Sequence, residues 1–312
     1  MKKLYWIIFA VLLNGCASLT ETQINSVNQF AATTKDFSDY PKKVMTELAS
    51  IRKESRLFDA NAQIDRTEHI KRLEDIYSEM QLDKKYSLKI EITFKVLDKY
   101  AQSLLLLSSK DISDLQKQTK NFGIEIDSLI TLYNAIDRVK KIPTGIGAAV
   151  SQLVASGGKV YVRSRQATEL KKFIPRGNIL ITHMTANLIE FLEKKIYVKS
   201  VNDSVGLKDL IISQQKSLEI DYGSYLTSVF AKAQLPTIEN DKKYIALLSR
   251  LNDVEELRKK TVSATKALQK AHAKLDKDIL TKKTLKESVK EIQLLYDEVK
   301  DIRSTISDIQ NP

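Results

Sequence analysis

Apolar residues recur along most of this chain at intervals of three and four, and the strict alternation of a half-buried strand is hard to find. The pattern predicts a succession of amphipathic helices and an all-α fold. Thr20 and Gln23 have capping-box spacing and open a first helix through Ile24, Val27, Ala31 and Thr34. Pro41 ends it and starts the second, because a proline is well placed in a first helical turn. Val44, Leu48 and Ile51, then Ile70, Leu73, Ile76 and Met80, carry that long second helix, with a weakly apolar middle at 59–65 where a bend is expected. Tyr86, Ile90, Leu97, Ala101 and Leu104 mark a third, ending at Ser108 and Ser109. Ile112, Leu115, Thr119, Phe122, Ile126, Leu129, Tyr133 and Ile136 then step by alternating threes and fours, a heptad seam with Asp111 as its N-cap.

Two related motifs follow, from Lys140 to Gly145 and from Lys171 to Gly177, each with a proline that disfavours helical geometry just before it. Both are expected helix boundaries, bracketing one arm. Between Gly145 and Gly158 the chain is rich in Gly and Ala, which lets backbones approach closely. This predicts a tightly packed core helix, or a segment that lines a ligand pocket or acts on a membrane. Helical pore-forming toxins are similar in layout, with a Gly/Ala-rich apolar head between long helices. Further helices are expected from Ile179 to Leu192, closed by Asn202 and Asp203, and from Leu207 to about Ala233, where Gly223 loosens it; Leu235-Pro236 is the last breaker.

From Ile238 onward the rhythm is regular. Leu257, Thr261, Ala264, Leu268, Ala271 and Leu275 form one seam, and Leu285, Val289, Ile292, Tyr296, Val299, Ile302, Ile306 and Ile309 form another. With a turn at 278–283 and Thr281 as cap, they predict an antiparallel coiled-coil hairpin. The expected organisation is a signal peptide over 1–15, a helical bundle over 16–236 and the hairpin over 237–312, together an elongated antiparallel multi-helix bundle.

Composition supports long elements, since nine Gly and five Pro among 312 residues leave few breaks. It also draws attention to the start. Lys2 and Lys3 precede an apolar run from Leu4 to Leu13, too short for a span of about 20 residues and suited to a secretory signal. Leu13-Asn14-Gly15-Cys16 resembles the lipobox of bacterial lipoprotein signal peptides, a resemblance confined to the first sixteen residues. It implies cleavage before Cys16, the one cysteine, and its lipidation, including a palmitate-type chain. Two or more acyl chains anchor a protein stably where one does not. With Ala17 next, the resemblance implies an outer-membrane anchor facing the periplasm or the surface in a Gram-negative cell. The mature chain would then hold no thiol for a disulfide, a metal or a nucleophile.

The net charge of +11 changes the picture of partners. For an exported chain, anionic lipid or an envelope polymer is the natural counterpart, and nucleic acid is not expected. From Arg258 to Lys290 eleven basic residues face three acidic ones, and Lys259, Lys266, Lys270, Lys274 and Lys277 cluster on one helix face opposite the apolar seam. They are the candidate contact with an anionic surface.

Signs of catalysis are missing. His69, His183 and His272 sit in no H-E-x-x-H motif; Asp65 and His69, one turn apart, are a candidate surface pair, and His183 beside Met184 is expected in the core. Gly157-Gly158-Lys159 fails the phosphate-loop pattern, and no G-x-S-x-G or dinucleotide fingerprint is present. No metal set, cofactor site or acid/base pair can be named, so an enzyme is not expected. Two classes remain: an anchored scaffold or interaction module using its helical faces, and a ligand carrier or sensor with a pocket between helices near the segment from Gly145 to Gly158. A toxin-like membrane-active protein or an immunity protein is a further alternative to both.

Overall fold

A reciprocal cap opens the helical chain. In the computed structural model, which describes residues 19–109, 122–135, 141, 163–193, 206–279 and 286–310, the Gln23 amide donates to the Thr20 hydroxyl at 3.2 Å. The Thr20 amide donates to the Gln23 side chain at 2.9 Å. Two orphan donors at the start of helix α1 (Glu21–Phe37) are thereby satisfied. Helix α2 (Pro41–Ala62) begins at the proline, as the sequence predicts.

The expected bend in the second helix is a break. The Asp65 carboxylate caps the next helix by accepting from the Thr67 and Glu68 amides at 2.8 and 3.0 Å. His69 donates through Nδ1 to the Ala60 carbonyl at 2.7 Å, near the end of α2. Asp65 and His69 therefore do not pair; each finishes a different helix end. Helix α3 (Arg66–Ser108) runs unbroken for 43 residues and joins two stretches that the sequence assigns to separate helices. No breaker lies between Met80 and Tyr86, and Asp83 is held by Arg52 at 2.7 Å.

Five more helices are described: α4 (Phe122–Asn134), α5 (Arg163–Glu193), α6 (Leu207–Ala231), α7 (Ile238–Ile279) and α8 (Lys286–Gln310). No strand occurs among the described residues, so the fold is all-α. Pro175 does not end a helix but lies inside α5. An internal proline costs about 3 kcal/mol. Leu170, Phe173 and Ile174 beside it are fully buried, and burial of each contributes about 1.5–3 kcal/mol, enough to hold the helix together.

Helix α3 is the backbone of the layout. Phe37 meets Phe94 edge-on at 5.8 Å and Ser108 bonds Asn28, so α1 lies antiparallel on its C-terminal half. Lys42–Glu91 at 2.8 Å, Arg52–Asp83 at 2.7 Å and Arg56–Glu79 at 3.5 Å place α2 on its N-terminal half. The two shorter helices follow one another along a rod about 63 Å long at 1.5 Å per residue. The start of α3 is thus at the opposite end from Leu19.

Helix α7 packs against α1, α2, α5, α6 and α8. Its predicted seam, Leu257, Thr261, Ala264, Leu268, Ala271 and Leu275, is buried throughout. A second buried row of Arg258, Val262, Thr265 and His272 makes it a two-sided core helix. The core is continuous across α6 and α7. Arg250 ties α7 to α2 by donating to Glu47 at 2.6 Å, Glu54 at 2.8 Å and Ser50 at 3.1 Å. Helix α8 lies antiparallel on α7, through Lys260–Thr305, Ser263–Glu298 and Asp278–Ser288.

The seam of α8 differs from its predicted register. Ser288, Ile292, Leu295, Val299, Ile302 and Ile306 are buried, while Val289 and Tyr296 are exposed. Leu295 is the more apolar choice, and Ser288 is tolerated because its hydroxyl donates to Asp278 at 2.6 Å. Of the heptad seam over 112–136, Ile126 and Tyr133 are buried in α4; Asp111, Ile112, Leu115, Thr119 and Ile136 lie outside the described residues, as do Thr281 and the stretch from Gly145 to Gly158.

Candidate interaction surfaces and a buried polar cluster

The lysine stripe exists, but much of its charge is answered locally. Lys259, Lys266, Lys270 and Lys277 are exposed, and Lys274 is half-buried. Lys266 pairs with Glu193 of α5 at 3.2 Å, Lys274 with Glu287 of α8 and with Asp278 at 3.7 Å, and Lys259 with Glu255 at 3.9 Å. Lys270 and Lys277 pair with no carboxylate among the described residues. Arg258, counted in the same basic run, is buried instead. Its guanidinium grips Glu255 at 2.7 and 2.8 Å and donates to the Leu192 carbonyl at 3.1 Å, capping the C-terminal end of α5 where a cation is favourable. Cys16 lies outside the described residues.

The core holds a polar cluster that sequence reasoning missed. Tyr100 of α3 and His272 of α7 are both fully buried, with the hydroxyl 2.6 Å from Nε2. Asn178 of α5 places Oδ1 at 3.2 Å from Nδ1. That oxygen can only accept, so Nδ1 carries the proton and Nε2 accepts from the tyrosine. Phe173 stacks on Tyr100 at 5.2 Å and Phe30 meets the imidazole edge-on at 5.3 Å. Burial lowers the His272 pKa from 6.5 to about 3 and, with help from the charge of Asp276, raises that of Tyr100 well above 10.0. Asp276, one turn after His272, has a buried Oδ1 with no hydrogen-bond partner among the described residues, and burial raises its pKa. The cluster is a neutral histidine held from three helices. It has no local sequence signature, because its members are far apart in the chain. His183, expected in the core, is only half-buried and bonds the Lys141 carbonyl at 3.0 Å.

A surface feature is legible only with the structure in hand. Helix α3 leaves Ile70, Leu73, Tyr77 and Met80 exposed, at 45%, 40%, 63% and 39% of their surface. Their spacing is that of a heptad seam, yet no described helix covers it. The face that α2 uses is the neighbouring one, bearing Arg72, Ile76, Glu79 and Asp83; Arg72 reaches Asp59 of α2 at 3.4 Å.

Among the described residues, no group of three or more His, Cys, Asp or Glu is placed to hold a metal ion, and no helix is long and apolar enough to cross a membrane. Comparison with protein-family models, with curated proteins and with solved structures finds no match to this chain.

Proposed function

We propose that this chain is a lipid-anchored cell-envelope protein that acts as a helical interaction module. The lipobox-like Leu13-Asn14-Gly15-Cys16 supports the anchor. The observation that carries the module reading is the apolar row on α3 that no described helix covers, since contiguous exposed apolar surface marks interaction sites. In a Gram-negative cell the anchor would be in the outer membrane.

Two measurements test the reading. Replacing Cys16 with serine is expected to abolish metabolic labelling with a radioactive or clickable palmitate and to leave uncleaved precursor; normal maturation with retained membrane attachment would remove the anchor. The lysines enter as a supporting contact with anionic envelope lipid or polymer, narrowed to Lys270 and Lys277, which pair with no carboxylate among the described residues. Lys270→Glu combined with Lys277→Glu is expected to weaken salt-sensitive binding to anionic vesicles with helicity unchanged. An unaltered vesicle titration would reduce the stripe to a solvated helix face.

A further inference from the structure

Within that module reading, we propose that the first half of α3 receives an amphipathic helix from a partner protein, and that the apolar stripe of this partner ends in carboxylates. Arg66, Ile70, Leu73, Tyr77, Met80 and Lys84 step by four, three, four, three and four, so all six share one face of the helix. All are exposed. The row is therefore an apolar seam with a cation at each end, about 27 Å apart at 1.5 Å per residue.

The end charges choose between occupants. Neither Arg66 nor Lys84 is paired with a carboxylate among the described residues, unlike Arg72 on the adjacent face of α3 and Arg52 and Arg56 of α2. A second copy laid antiparallel on this seam would set Arg66 against Lys84 at both ends. Laid parallel in register, it would set each cation against its own copy. Like charges across a helical seam oppose pairing and fix partner choice. A helix with Leu- or Ile-type knobs and terminal Glu or Asp satisfies both the apolar row and its ends. Arg72, Glu79 and Asp83 already serve the α2 contact, so this partner would add to the bundle without displacing α2.

The test uses two fluorescent 21-residue helical peptides with leucine at alternating third and fourth positions, one ending in glutamates and one in lysines. Each is titrated against the full-length protein reconstituted in zwitterionic nanodiscs. The glutamate peptide should bind at least tenfold more tightly than the lysine peptide. Tyr77→Glu should weaken it at least tenfold with an unchanged circular dichroism spectrum, because Tyr77 is exposed. The Arg66→Glu and Lys84→Glu double variant should reverse the preference. Equal binding of both peptides, or of neither, overturns the proposal. So does a concentration-dependent dimer, or binding to anionic vesicles, that Tyr77→Glu removes, for these would assign the row to a second copy or to lipid. A photo-crosslinker at Tyr77 and another at Lys270, read by mass spectrometry in the native cell, separate this site from the broader reading. Partner adducts only at Lys270 leave an interaction module without this surface. Adducts at neither position count against both.

Discussion

Replacing Gly177 with alanine is expected to lower the unfolding free energy by about 2–4 kcal/mol, as read by urea denaturation. In an ordinary helix the same change stabilises by up to about 1 kcal/mol. Here an added Cβ would lie closer than 3.0 Å to the hydroxyl and ring carbons of Tyr100. The ring has little freedom to retreat, since it stacks on Phe173 and its hydroxyl is engaged with Nε2 of His272. Displacing it costs overpacking strain and leaves a buried donor and acceptor without partners. In a Tyr100→Leu background the alanine should cost much less or become favourable, a coupling expected of contacting residues. A Gly177→Ala protein more stable than the parent would show that the close approach is not limiting.

Acidification from neutral pH should destabilise the protein through a buried histidine. Between pH 7.5 and pH 5 the unfolding free energy is expected to fall by about 2 kcal/mol through His272 alone, at about 1.4 kcal/mol per pH unit. Its pKa is 6.5 when free and about 3 in the fold. The unfolded chain therefore takes up the proton first, and stability present above 6.5 is lost as the pH falls towards 3. The groups facing the imidazole do not offset this, for Tyr100 stays protonated and Asn178 does not titrate. The carboxylates act in both directions. Asp83, Asp221 and Asp276 have pKa values raised by burial, so protonation favours their folded form. Glu91, held down to about 2 by hydrogen bonds from Lys42 and Lys95, loses stability below 4.5. Urea unfolding of His272→Gln at the same pH values should give a clearly flatter dependence; an identical slope would mean that another group carries it.

What the sequence made legible is what local chemistry decides. The Thr20–Gln23 cap, the proline at the head of α2, the end of α3 at Ser108 and the buried seam of α7 each depend on residues within a few turns of one another. The misjudged elements depend on distant partners. Pro175 stays helical because Leu170, Phe173 and Ile174 are packed into the core. The register of α8 turns on Ser288 finding Asp278 of another helix. The five lysines are on one side of α7 as the 100° spacing requires, but which remain unpaired is set by Glu193, Glu255, Asp278 and Glu287. The periodicity of Ile70, Leu73, Ile76 and Met80 is legible in the sequence, but the exposed row has Tyr77 in place of Ile76, which is buried. The placement of α2 on the adjacent face leaves the row exposed, with no described helix over it.

The cap at Thr20 bears on how the molecule would stand in an envelope. Only three peptide links separate Cys16 from Leu19, a contour of at most about 11 Å. With Cys16 acylated, the bundle would have almost no leash. The Leu19 end of the bundle would be kept within about 11 Å of the acylated residue. Its far end, where α3 begins, could then reach about 60 Å from the bilayer when the bundle stands upright. Reach from the membrane would then bear on partner choice, since an upright bundle presents the start of α3 to a helix held at that height.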